Sequence, residues 1–118
     1  MRTILLATGL LLLSLPVFAD SPATAPAAFA QCAACHSVNG SNGVGPSLKG
    51  IIGRKVGSSP GFRYSRAMKT LGKSWDKALL SAYLANPQQA VPGNVMPFAG
   101  VPDAGQRAAI VNYLATLQ

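Results

Sequence analysis

The five residues Cys32-Ala33-Ala34-Cys35-His36 constrain this chain more than any other stretch. On a helical turn, positions i, i+3 and i+4 share a face, so two thiols and an imidazole are presented together. Thiols at that separation suit thioether formation with the two vinyl groups of one haem, with the adjoining His36 under the iron as an axial ligand. His36 is the only histidine among 118 residues, so no other imidazole competes for that place.

Other chemistries of a C-x-x-C pair fit less well. A thioredoxin-like redox pair needs a βαβ context, and the chain shows no run of β-branched strands. A structural zinc site wants four ligands, whereas two cysteines and one histidine are present. A disulfide across three residues would remove little chain entropy.

The stretch from Met1 to Ala19 has the layout of a signal peptide: Arg2, an uncharged run from Ile4 to Phe18, then Val17-Phe18-Ala19 as a small-residue cleavage pattern. It contains Gly9 and Pro16 and is short for a membrane span; an uncleaved anchor is the alternative. Removing 19 of the 118 residues leaves 99. Export to the periplasm suits the motif, because thioether-linked haem is attached outside the cytoplasm. Residues 20–26 read as a flexible lead and 27–118 as one small domain. A domain of that size has a marginal apolar core, which a covalently held porphyrin would supplement.

The formal charge of the whole chain is +7; without Arg2, and with all three acids kept, it is +6. Two haem propionates would lower this to about +4. The basic residues concentrate between Lys49 and Lys77, with Arg107 apart. Nucleic acid is excluded as a partner, since an exported protein meets little of it and the basic stretch lacks the aromatic interleaving of a single-strand binder. The charge reads as solubility and steering towards acidic protein surfaces.

The pattern predicts an all-α domain with three main helices and long loops packed on a ligand. Pro26 suits the first position of a helix leading through Ala27, Ala28 and Phe29 into the cysteine motif. Asn39 to Gly61 is dense in Gly, Ser and Pro, which predicts loops wrapping something. Ser74 is read as the N-cap of a helix over Trp75–Ala85 with Leu79, Leu80, Tyr83 and Leu84 as its stripe, stopped by Pro87. Gln88 to Gly100 reads as irregular. Asp103 caps the last helix, with Gln106 completing a capping box and Ile110, Val111, Tyr113, Leu114 and Leu117 as the buried side. Met68 and Met96 are the methionines available as a second axial ligand. Met68 reads as loop packing, while Met96 lies in a segment stiffened by Pro92 and Pro97.

The ordered residues from about Ala27 to Leu117 resemble class I c-type cytochromes, close to mitochondrial cytochrome c and its small bacterial relatives. The matches are the cysteine motif, Val44-Gly45-Pro46-Ser47-Leu48, Gly53-Arg54-Lys55, Pro60-Gly61-Phe62-Arg63-Tyr64-Ser65, Trp75, Tyr83-Leu84, Asn86-Pro87, Pro92-Gly93, Met96-Pro97-Phe98-Ala99-Gly100 and Tyr113-Leu114. The resemblance implies a cytochrome c fold around one haem c, covalent through Cys32 and Cys35, with His36 and Met96 as the iron ligands. It implies that the Pro46 carbonyl holds the His36 ring, and that Arg54, Tyr64 and Trp75 donate to a buried propionate. Tyr83 would bring its hydroxyl near the Met96 sulfur, Phe98 would shield the haem edge, and Tyr113 would pack the last helix on the first.

Several positions depart from that pattern. Thr24 falls near the small glycine at the helix crossing, which implies a short or differently crossing first helix. Met68 replaces an asparagine of the propionate network. Asn94 replaces a threonine, keeps hydrogen-bonding ability and stays among the cofactor-binding residues. Gln31, Gln88, Gln89 and Val95 stand where the family carries lysines around the haem edge.

Two strong-field ligands would leave iron no open site, which favours electron transfer over substrate binding. The resemblance thus implies a soluble, monomeric one-electron carrier between a membrane donor such as a cytochrome bc complex and a terminal oxidase or reductase. A haem peroxidase or nitrite-type enzyme would need a positioned acid–base group at an open site, and no second histidine is present to serve. A ligand sensor or a tethered dehydrogenase subunit is a rival of a different class.

Overall fold

The computed structural model describes residues 14–16 and 23–118. The signal peptide expected over Met1 to Ala19, apart from residues 14–16, lies outside the described residues. Pro26 precedes a 3-10 turn, Ala27–Phe29, that runs into the four-residue helix α1, Ala30–Ala33. Pro26 is itself still extended at ψ 154, so the helix starts one residue later than its proline suggests. Thr24 precedes this short element, in keeping with the reduced first helix expected there.

α2 spans Arg66–Thr70, where Ser65 caps the Met68 N–H with its hydroxyl at 3.2 Å. Met68 therefore belongs to a helix, not to the loop expected from its sequence context. α3 covers Lys77–Ala85 and begins after Asp76, whose carboxylate accepts from Leu79 N at 2.7 Å. Ser74 is not the cap. It forms an isolated antiparallel bridge with Lys55, and the Trp75 backbone exchanges bonds with Arg54 and Gly53, so both residues are committed elsewhere before the helix can start. Asn86 ends α3 because the following Pro87 disfavours helical geometry there. The same Asn86 side chain caps α4, Pro87–Ala90, accepting from Gln89 N at 3.1 Å. The expected irregular segment thus opens with one helical turn.

α5, Ala104–Ala115, is capped by Asp103, which accepts from Gln106 N at 2.7 Å. Only this half of the expected capping box forms. Ile110, Val111 and Leu114 are buried at i, i+1 and i+4, and they meet Leu80, Tyr83 and Leu84 of α3 in one apolar cluster. The amino-terminal turn joins through Phe29, whose ring meets Tyr113 edge-on at 4.9 Å. Helices of 4 to 12 residues are marginal alone, so this packing holds them. No strand is named among the described residues, and no helix there is long and apolar enough to cross a membrane. The architecture is all-α.

Between α1 and α2, the loop from Asn39 to Gly61 is tied down by specific bonds. Leu48 N donates to Ser37 O at 2.8 Å, and Gly50 N reaches Leu117 O at 2.7 Å beyond α5. These bonds place the loop as a wall rather than a loose excursion.

Candidate functional site

A mostly apolar cavity of about 230 Å³ runs into the centre of this bundle. Ile51, Trp75, Leu80, Tyr83, Leu84, Ile110 and Leu114 belong both to its wall and to the buried core. The core therefore does not close on itself; it surrounds a space. Cys32, Cys35, His36, Pro46, Arg54, Tyr64, Trp75, Tyr83, Asn94, Met96 and Phe98 all line it, so every site residue expected from the sequence is gathered in one place.

His36 follows α1, and its backbone N–H still donates to Cys32 O at 2.9 Å. That continuation of the turn keeps both cysteines and the ring on one side. His36 Nδ1 lies 2.7 Å from Pro46 O. A carbonyl can only accept, so Nδ1 carries the proton and Nε2 is left as the ring's acceptor nitrogen. Gly45 adds a constraint that sequence reasoning did not single out. A Cβ there would stand 2.6 Å from His36 Nδ1 and closer still to Cε1, so the ring lies flat against bare backbone. The signal was present as Gly45-Pro46, nine and ten residues after His36, but its meaning depended on where the loop folds back. Burial pushes the Cys32 thiol up from its ordinary value, which favours the neutral form.

Met96 sits in the segment between α4 and α5. The Tyr83 hydroxyl points at its sulfur from 3.8 Å. Burial pushes Tyr83 up to about 12, so that hydroxyl remains a donor through neutral and moderately alkaline pH. Trp75 braces Tyr83 edge-on at 5.2 Å.

Arg54, Tyr64 and Trp75 bring polar side-chain groups to the lining. Arg54 donates through Nη1 and Nη2 to Ser47 O at 2.9 Å, and through Nη2 to Lys49 O at 2.8 Å. These bonds fix the guanidinium plane and use three of its five N–H groups. Tyr64 Oη accepts from Ser59 N at 3.1 Å, which leaves its own proton free. Met68 also lines the wall, a position that its sequence context did not reveal.

The residues present fit a covalently held haem. Two thiols and an oriented imidazole line an apolar space, a thioether lines the same space, and residues with donors suited to carboxylates, Arg54 and Tyr64 among them, complete the lining.

Comparison with known proteins extends the match beyond this site. The family model described as Cytochrome c covers residues 23–118. The chain is 49% identical over 96 residues to cytochrome c2 iso-2 of Magnetospirillum fulvum, spanning 80% of this chain and 100% of that protein. It is 47% identical to cytochrome c2 of Rhodoplanes tepidamans, across 80% of this chain and 98% of the relative. Among solved structures, cytochrome cH from Methylobacterium extorquens superposes with a TM-score of 0.72 at 46% identity, covering 75% of this chain and 91% of that one. Because the likeness runs over the whole folded unit and not over the cysteine motif alone, the chain belongs to the cytochrome c family: it is a class I c-type cytochrome, which binds one haem covalently and carries electrons.

Proposed function

We propose that this cytochrome is a soluble periplasmic one-electron carrier in which His36 and Met96 ligate the iron. In this reading residues 1–19 are a cleaved leader, and the monomer shuttles between a membrane donor, such as a cytochrome bc complex, and a terminal oxidase or reductase. The bound haem supplies reversible one-electron exchange, at a potential that a His/Met pair raises. The observation that carries the reading is that His36 and Met96 line one cavity, with Pro46 O holding His36 Nδ1 at 2.7 Å.

Each wall residue has a part. Cys32 and Cys35 anchor, and Pro46 keeps the imidazole oriented and more basic. Tyr83 directs its hydroxyl to the Met96 sulfur. Arg54, Tyr64 and Trp75 offer donors to an ionised propionate that an apolar pocket would otherwise disfavour. The apolar wall excludes water and so penalises the extra charge of the ferric state.

An absorption spectrum tests this reading. A low-spin ferric spectrum with the weak near-infrared band of methionine–iron coordination is expected. A five-coordinate high-spin spectrum would favour a catalyst or sensor instead.

The rim of the cavity sets how partners are met. Val44 and Val95 line it while 75% and 72% exposed, and Gln31 is an exposed neighbour. Arg54 is the one cation lining the cavity among the described residues, and its fork is held by two carbonyls. Charge steers association mainly where it rings the contact. Electron exchange with a partner complex should therefore vary only weakly with ionic strength. A steep fall in the second-order rate on raising salt from about 0.01 to 0.2 M, where the screening length shrinks severalfold, would reject the uncharged contact.

A further inference from the structure

Asn94 is buried, at 6% exposure, beside the segment that carries Met96. Both ends of its side-chain amide bond to the protein. Nδ2 donates to Pro87 O and to Val91 O, each at 2.9 Å, and Oδ1 accepts from Met96 N at 3.0 Å. The last bond, from a side-chain oxygen to the N–H two residues on, is an Asx turn. The main chain of Asn94 is held as well, through Asn94 N to Val91 O at 3.1 Å and Gln88 Nε2 to Asn94 O at 2.9 Å. Pro92 and Gly93 (φ +87) occupy the middle of the Val91–Asn94 turn, with the residue types that a type II turn requires.

The result is a bracket between α4 and the sulfur-bearing residue. Met96 N–H is held by Asn94 Oδ1, and Met96 O accepts from Phe98 N at 2.8 Å. Pro97 follows without an N–H of its own. Both backbone groups of Met96 are thus pinned, one of them by a side chain. With both Nδ2 hydrogens committed to carbonyls, Asn94 has no donor left for a propionate, although it lines the cavity.

We propose that Asn94 is a positioning residue: by clamping the Met96 N–H to the end of α4, it sets how rarely the thioether leaves the iron. The proposal rests on the reading of Met96 as an iron ligand and concerns the strength of that attachment. An unclamped segment raises the fraction of molecules whose site is open, and a competing ligand binds in proportion to that fraction.

Titration of the ferric holoprotein with imidazole at fixed neutral pH, followed by loss of the near-infrared band, reads that fraction. Asn94→Leu keeps the size and removes all three side-chain bonds; it should tighten apparent imidazole binding about tenfold, the scale of one lost hydrogen bond. Asn94→Ser keeps a short acceptor able to form the equivalent turn and should fall between wild type and Asn94→Leu. If the leucine variant does not mature, the serine variant carries the test through a shift of a few-fold. Val111→Ala, in buried α5 away from the cavity lining, lowers the guanidinium midpoint and should leave imidazole affinity unchanged.

Unaltered affinity in the Asn94 variants would overturn the clamp while leaving Met96 ligation standing. An equal shift in Val111→Ala would also overturn it, since general loosening would then suffice. A wild type with no near-infrared band would overturn both the clamp and the ligand reading.

Discussion

With Cys32 and Cys35 both replaced by alanine, the chain is expected to lose most of its helical far-ultraviolet circular dichroism at 25 °C. Much of its core also lines the cavity, from Ile51 and Trp75 to Ile110 and Leu114. Left without its haem, a space of about 230 Å³ would cost about 5.5 kcal/mol at roughly 24 cal/mol per Å³. That is comparable to the whole stability of a small domain, about 5–15 kcal/mol. Collapse cannot recover much of it, because α1 has four residues and α3 nine, and neither is stable without a partner. Full native helicity in the haem-free protein would show that the core closes by itself.

The second large effect separates the two methionines of the cavity wall. Met96→Ala should abolish the near-infrared ferric band, admit exogenous ligands and lower the reduction potential by a sizeable fraction of the roughly 0.8 V that axial ligands span. Met68→Ala should leave spectrum and potential nearly unchanged, while removing about 1–2 kcal/mol of stability, less than a fully buried methionine would, because Met68 is only partly buried. The distinction follows from local structure. Met68 sits on the short helix α2, whereas Met96 lies in the segment between α4 and α5 and receives the Tyr83 hydroxyl at its sulfur. Equal changes in potential from both substitutions would refute the assignment of Met96.

The parts of the molecule that were legible beforehand share a cause: their determinants are close in sequence. The cysteine pair and His36 follow from a single helical turn. The stripes of α3 and α5 follow from their periodicity, and the Asp103 cap from a carboxylate three residues before an N–H. Pro87 marks the end of α3 because proline restricts the residue before it. The misplaced start of α3 has the opposite origin. Ser74 and Asp76 are both adequate caps by residue type, and the choice fell to Asp76 because Lys55 and Arg54, some twenty residues earlier, had engaged Ser74 and Trp75.

The amino-acid order by itself determined that a haem would be stitched to one turn near the amino terminus and that helices would gather round it, because bond lengths and helical pitch admit few other uses of that spacing. Tertiary structure alone decided the rest: that Gly45 lies bare against the His36 ring, that Arg54 braces on Ser47 and Lys49, and that Asn94 spends its amide on Pro87, Val91 and Met96. A side-chain amide or a guanidinium can satisfy itself in many ways, and which carbonyl it meets is set only when distant segments are brought within about 3 Å of one another.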